Sequence, residues 1–501
     1  METRNMANGY DIKLKVEPYE YQKEGIDFGL RHERVLIGDE PGLGKTLQSI
    51  GIVDAAGAYP CLVICPSSLK INWQREWEKF TEKKALVLDN GTQTTWPYLL
   101  QMGVQNVAIV NYESLRKYFV WDIKGGKKSW RLKDVVFCPH IKMFKSVIID
   151  ESHRVKDAST QQARFAKGLT VGKRWVILLS GTPVVNRPAD LVAQLSIMDR
   201  LKDFGGKAAF LSRYGGGESG KGNKSNRTYR TDTRGGNDDE NADAPRNLEE
   251  LSQKLYESCM IRREKAKVLT ELPDKTRCDL YVEISNREEY DVAQADLAQY
   301  LKEYRQCSDW EVQKKMMMEA LVKFMTLRSI AAKGKVAQAA DFIRTFLASG
   351  KKLIVFCSLH EIVDELKAQF PQAVSVTGRD NAASKQAAVD AFQQDDNVRL
   401  IICSIKAAGV GLTLTASSNV AFIELPWTYA DCCQCEDRAH RIGQKDNVTC
   451  YYLLGKGTID GRLYQIIQDK KSVAAQIMAS DDDIPTDRRY FEEIASTLFE
   501  L

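Results

Sequence analysis

The stretch Val35-Leu36-Ile37-Gly38-Asp39-Glu40-Pro41-Gly42-Leu43-Gly44-Lys45-Thr46 decides the fold. Three apolar residues of strand type run into a glycine-bearing loop, and beyond it Leu47, Ile50, Ile52 and Val53 continue as a buried helix. Strand, loop and helix in that order make a phosphate cradle. Gly42 and Gly44 let the backbone curl until successive N–H groups point at phosphate oxygens. Lys45 adds a compact positive charge, and the Thr46 hydroxyl is of the type that ligates Mg²⁺. A helix opening at Lys45 or Thr46 turns its positive end to the same anion. Asp39 stands where the strict pattern has glycine, and Pro41 has no N–H to donate.

A second run, Val147-Ile148-Ile149, leads into Asp150-Glu151-Ser152-His153. Continuous apolar residues suit a parallel strand covered on both faces, and in such sheets the chemistry collects at the carboxyl ends. Asp150 is placed to hold the metal through its water shell and Glu151 to polarise a water attacking the γ-phosphate of a bound nucleoside triphosphate.

Further apolar runs alternate with helical segments at Leu62–Cys65, Val107–Val110 and Val176–Leu179. The rhythm restarts at Leu353–Cys357, Ala373–Val376, Leu400–Cys403, Val420–Ile423 and Cys450–Leu453. This is an α/β chain with two parallel sheets flanked by helices, and only the first carries a phosphate cradle. The expected division is a first lobe over residues 1–202, a flexible polar insertion over 203–247, a largely helical segment over 248–332 and a second lobe over 333–501. The insertion has six basic against two acidic residues from Arg213 to Arg234, then turns negative at Asp238-Asp239-Glu240. A solvated loop is its simpler reading, and a basic half that tracks a DNA backbone is the functional one. The run Met316-Met317-Met318, Leu321, Val322, Phe324, Met325 reads as helix core.

The second lobe contributes Gln434-Cys435-Glu436-Asp437-Arg438-Ala439-His440-Arg441-Ile442-Gly443-Gln444. Arg438 and Arg441, three apart, are expected on one face of a helix, where their guanidinium forks suit phosphate oxygens. On a different lobe from the cradle, they reach the γ-phosphate only when the lobes close. Ser404 to Thr415 forms a strand end and a glycine loop; the amides at Gly409 and Gly411, with Thr413 and Thr415, would hold a nucleic-acid strand or relay the nucleotide state.

Composition bounds the partners less tightly. The 501 residues carry 71 Lys and Arg against 67 Asp and Glu, a net +4, so any nucleic-acid footprint must be local. No apolar stretch approaches the ~18 residues of a membrane span, and the N-terminus lacks a signal core. The expectation is a soluble protein that stays in its own compartment, with a bacterial or phage setting preferred to a nucleus. Of 12 cysteines, Cys432, Cys433 and Cys435 lie near His440 but have no second ligand couple, so no zinc site is expected.

Together these strings resemble the Swi/Snf-type ATPases of helicase superfamily two. Gly42 to Thr46 are similar to motif I, Asp150 to His153 to motif II, Ser180-Gly181-Thr182-Pro183 to motif III, and Leu353 to Ser358 to motif IV. Ser404 to Thr415 resemble motif V and Gln434 to Gln444 motif VI. Gly411 to Ser417 and Glu424-Leu425-Pro426-Trp427-Thr428 are most like the annealing-helicase, HepA-related branch. The resemblance implies two RecA-like lobes, with ATP and Mg²⁺ in the cleft and duplex or branched DNA across both. It also implies that Lys45 and Thr46 bind phosphates and Mg²⁺, Asp150 holds the metal, Glu151 the water, and Arg438 and Arg441 the transition state. Gln22 is similar to the adenine-reading glutamine, and Ser180 and Thr182 to residues coupling ATP state to DNA grip. The expected function is an ATP-dependent DNA translocase with replication or repair proteins as possible partners. A strand-separating DNA or RNA helicase and an ATP-gated DNA-binding scaffold are the alternatives.

Overall fold

The computed structural model describes residues 10, 12–124, 130–181, 188–214, 247–269, 272–306, 310–408, 412–426 and 429–477. In its first half the chain forms β1 (Arg34–Ile37), β2 (Cys61–Cys65), β3 (Ala85–Val87), β4 (Val107–Asn111), β5 (Val120–Ile123), β6 (Val135–Phe137), β7 (Ser146–Asp150), β8 (Trp175–Leu179) and β9 (Met260–Ile261). The second half adds β10 (Lys275–Val282), β11 (Leu353–Cys357), β12 (Val374–Val376), β13 (Leu400–Ser404), β14 (Asn419–Phe422) and β15 (Val448–Gly455).

They assemble into a seven-stranded sheet, ordered β3-β4-β2-β7-β8-β1-β9, and a six-stranded sheet, ordered β10-β15-β14-β11-β13-β12. Every pairing in both sheets is parallel. β5 and β6 form a separate antiparallel ribbon.

Period-two alternation gives each sheet a core on both faces. Leu62 and Ile64 of β2, with Val147 and Ile149 of β7, pack to one side. Their neighbours Val63 and Ile148 pack to the other, beneath α1 (Glu20–His32), α2 (Lys45–Ala55) and α3 (Lys70–Phe80), which contribute Ile26, Ile50 and Trp77. The second sheet repeats the scheme, with Ile354 and Phe356 on one face and Val355 and Cys357 on the other. Each aliphatic side chain buried this way contributes roughly 1.5–3 kcal/mol, which is why uninterrupted apolar runs end up as central strands. No helix among the described residues is long and apolar enough to cross a membrane.

Every run expected as a strand is one, to within two residues at its ends. The segment 248–332 is largely helical, and within it β9 joins the first sheet and β10 the second, with residues 262–274 separating the two strands. Two expectations need correction, the start of the polar insertion and the burial of the methionine-rich helix. The polar insertion does not begin at 203: Gly206–Tyr214 is a helix whose Phe210 and Tyr214 are buried with Phe204 in the first core. Residues 215–246, with the charge-polarised stretch, lie outside the described residues. In the methionine-rich helix Phe324 is buried, but Val322 is 62% and Met325 47% exposed, because only one stripe of the helix faces the core.

Candidate functional site

β7, β8 and β1 are neighbours in the first sheet, so their carboxyl ends lie side by side and deliver Asp150, Ser180 and Gly38 to one edge. After β1 the loop curls through Gly42 (φ +91°) and Gly44 (φ +73°), a left-handed backbone that favours glycine. A Cβ on Gly44 would come within 2.4 Å of Gln22 Nε2. Gln22, buried in α1, donates this amide to the Leu43 carbonyl at 3.2 Å and so braces the loop. Lys45 and Thr46 open α2. Lys45 Nζ donates to the carbonyls of Asp39 (2.6 Å) and Glu40 (3.2 Å). Burial lowers its pKa, opposed by the charges of Glu151, Asp39 and Asp150.

Asp39, the departure from the strict loop pattern, is an anchor. It is fully buried and paired with Arg263, at 2.6 Å to Nη2 and 3.1 Å to Nε, and it accepts from Gln48 Nε2 at 2.9 Å. Arg263 follows β9, so the last strand of the sheet clamps the loop of the first. Replacing Arg263 by alanine strands a buried carboxylate and should cost about 3–5 kcal/mol, read as a lower denaturant midpoint.

The carboxylates stand beyond β7. Asp150 Oδ2 accepts from the Trp73 indole at 2.9 Å, and Oδ1 from the Glu151 N–H at 2.9 Å. Burial, then the adjacent Glu151, pushes the Asp150 carboxyl up to about 7. Glu151 occupies the left-handed region (φ 53°), a strained conformation for a side-chain-bearing residue. Its Oε2 is 3.4 Å from His153 Nδ1, which is 3.1 Å from Ser180 Oγ. A contact chain therefore runs from one carboxylate to the end of β8. Two adjacent carboxylates, one with its proton affinity raised by burial, fit a hard divalent cation, which takes few protein ligands and keeps several waters. Among the described residues no group of three or more His, Cys, Asp and Glu could form a closed metal cage.

The second sheet supplies the opposite wall. Arg438 and Arg441 do not sit on one helical face, as their spacing suggested. The helix Tyr429–Glu436 ends before them, and the chain continues in turns, with Arg441 N–H bonded to the Ala439 carbonyl. The reason is tertiary. Glu436 is held by Lys275 (2.9 Å), Arg277 (2.6 Å) and the Tyr452 hydroxyl (2.7 Å), and Asp437 by Lys265 (2.7 Å) and Lys275 (3.3 Å). Gln444 fixes the far end, donating to the carbonyls of Ala439, Thr415 and Ser417. Within this turn Arg441 Nη1 (3.1 Å) and Arg438 Nη1 (3.5 Å) converge on the Leu412 carbonyl.

Burial would raise both acids of this network, but Lys275 and Arg277 hold Glu436, and Lys265 and Lys275 hold Asp437, below the usual carboxylate range. A depressed folded-state pKa stabilises above the unfolded value and is lost as pH falls through the folded one. Stability should therefore drop on acidification below about pH 4. In Asp437→Asn, urea midpoints measured through that range should decline less steeply with pH.

The two walls touch. A Cβ on Gly42 would lie 3.1 Å from Arg441 Cβ and 3.2 Å from Lys265 Cε. Lys265 joins both sides: its N–H donates to Glu40 Oε2 at 2.8 Å and its Nζ to the His440 carbonyl at 2.9 Å. Farther along the cleft, Thr413 helps line a cavity of about 240 Å³ with Ser68 and Asn72 from the first lobe, beside an Arg75–Asp390 ion pair of 3.0 Å. Thr415 Oγ1 accepts from Gln393 at 3.3 Å. Thr182, Gly409 and Gly411 lie outside the described residues. Sequence reasoning passed over Trp73, Lys265, Glu436 and Asp437. The string Arg262-Arg263-Glu264-Lys265 carried a signal for Lys265, four charged residues in a row between the lobes.

The SNF2-related domain model matches residues 21–335, and the helicase conserved C-terminal domain model residues 334–443. A Caenorhabditis elegans homolog of SWI/SNF-related matrix-associated actin-dependent regulator of chromatin subfamily A-like protein 1 is 31% identical, over 95% of this chain and 64% of its own length. The human DNA annealing helicase and endonuclease ZRANB3 is 30% identical, over 95% of this chain and 42% of its own. The chain thus spans less than two thirds of the length of either relative. The Sulfolobus solfataricus SWI2/SNF2 ATPase core in complex with dsDNA is 22% identical and covers 99% of both chains with a TM-score of 0.40.

Proposed function

This chain belongs to the SNF2-related family, and we propose that it is an ATP-driven motor that translocates on duplex or branched DNA, acting by annealing or by fork and branch remodelling. The observation that carries this reading is the contact between lobes: Arg441 and Lys265 lie against Gly42, so a nucleotide on the phosphate loop is enclosed by both sheets. Closure and opening of that contact with each turnover would move one lobe relative to the other along the DNA.

In this reading Lys45 and the loop amides grip the β- and γ-phosphates of ATP, and Gln22 reads adenine after releasing Leu43. Thr46 and Asp150 would hold Mg²⁺. When bound, the ion neutralises charge building on the phosphate oxygens. Glu151 orients the attacking water and takes its proton at the carboxylate. Arg441, with Arg438 behind it, meets the charge of the transition state. The contact from Glu151 through His153 to Ser180 reports the state of the γ-phosphate toward Thr182, while Gly409 and Gly411 contribute to the nucleotide site from the second lobe and Thr413 and Thr415 grip the DNA strand. Replication or repair proteins are the partners that would direct such a motor to its substrate.

Translocation is tested with a triple-stranded DNA carrying a displaceable third strand, run beside a plain duplex. The expected outcome is ATP-dependent release of the third strand while a plain duplex stays intact. Separation of the plain duplex would instead favour the strand-separating helicase.

A further inference from the structure

A second cationic cavity lies on the flank of the first lobe, between the helices Gln161–Thr170 and Asp190–Ile197. It encloses about 270 Å³ and is lined by Arg131, Arg164 and Lys167 above an apolar floor that includes Leu132, Ala163 and Ile197. None of these residues belongs to the nucleotide site. Arg164 donates to the Trp130 carbonyl at 2.5 Å, and its guanidinium lies 4.9 Å from the centre of the Trp130 ring. That ring is stacked on Phe165 at 5.4 Å, so Arg164 is held in place from below. Lys167 Nζ donates to the carbonyl of Ser196.

Among the described residues these three cations have no ion-pair partner. The nearby carboxylates lie beyond ion-pair distance of these cations and hold other partners, although Asp157 acts on Arg164 and Asp199 on Lys167 from farther off. Asp199 pairs with Lys202 at 3.2 Å, Asp134 accepts the Arg131 backbone N–H at 2.7 Å, and Asp157 accepts that of Ser159 at 2.7 Å. Arg164 and Lys167 are partly buried, a costly placement for charge, and burial lowers the pKa of Lys167 even with Asp199 in range.

We propose that this cavity is a binding site for a phosphate oxyanion, separate from the nucleotide cleft. A planar carboxylate is satisfied by one guanidinium fork, whereas a tetrahedral phosphate presents oxygens to all three cations. The volume falls just short of the ~300 Å³ typical of small-molecule pockets, which leaves room for a phosphoryl group with a small apolar-backed substituent. The oxyanion comes either from a free phosphorylated molecule or from a DNA backbone.

The test uses the full chain carrying Lys45→Ala, which weakens the phosphate loop, with inorganic pyrophosphate as the probe in isothermal titration. Saturable binding is expected, weakened about tenfold by Arg164→Gln and again by Arg131→Gln. Arg131 is exposed, so that variant should keep the parent's thermal midpoint. If DNA is the source, each substitution also lowers the salt slope of duplex binding by roughly one unit. If a free molecule is the source, that slope is unchanged while pyrophosphate binding falls. Pyrophosphate binding that is absent, or that survives both substitutions undiminished, overturns the proposal.

Discussion

Glu151→Gln should keep ATP and DNA bound while slowing hydrolysis by roughly 10²–10⁴-fold, the usual scale for losing a general base. The amide preserves the shape of the side chain and removes only its capacity to take a proton. Glu151 is well placed for that role. It follows Asp150 at the end of β7, and its left-handed backbone turns it away from the strand path. Strain of about 1–3 kcal/mol at a single residue persists only where the surroundings impose it, and here the neighbouring Asp150 is itself held by Trp73 and Tyr112. Single-turnover hydrolysis beside equilibrium ATP binding separates the two effects. Normal turnover in the variant would remove Glu151 from the chemistry.

Arg441→Ala should lower turnover on the order of 10³-fold and change ATP affinity far less, since a guanidinium that meets transition-state charge contributes little to the ground state. The geometry supports the asymmetry: Arg441 Cβ faces Gly42, while its guanidinium is parked on the Leu412 carbonyl at 3.1 Å, from which it can swing toward a bound γ-phosphate. Arg438 is buried and shares that carbonyl, so its replacement should disturb the turn as well as the chemistry. Comparing kcat with the Kd for ATP checks this directly. Equal losses in both would make Arg441 a structural residue.

The first-lobe half of the site is legible in sequence because its geometry is local. Gly42, Gly44, Lys45 and Thr46 are nearly contiguous, and Asp150 and Glu151 follow directly on an apolar run of the kind a covered parallel strand needs. Legibility fails where partners are distant. The helix carrying Cys432 and Cys435 stops at Glu436 because Arg277, 159 residues earlier in the chain, holds that carboxylate; helical spacing carries no trace of this. β10 escapes notice for a related reason: Lys275–Val282 is an edge strand with Lys, Arg and Asp among its residues, and its burial alternates without ever becoming complete. β9 has only two residues, too short for any periodicity. Asp39 reads as a defect in a glycine pattern until Arg263 is seen beside it.

A DNA-driven ATPase whose site is shared by two lobes should declare itself in steady-state ATP hydrolysis. The rate is measured without nucleic acid and with single-stranded DNA, duplex DNA, forked DNA and RNA, with Lys45→Ala as background. Strong acceleration by duplex or forked DNA is the predicted result. Acceleration by RNA or single strands alone, or a slow rate that no DNA changes, would contradict it, the first in favour of a strand-separating helicase and the second in favour of an ATP-gated scaffold.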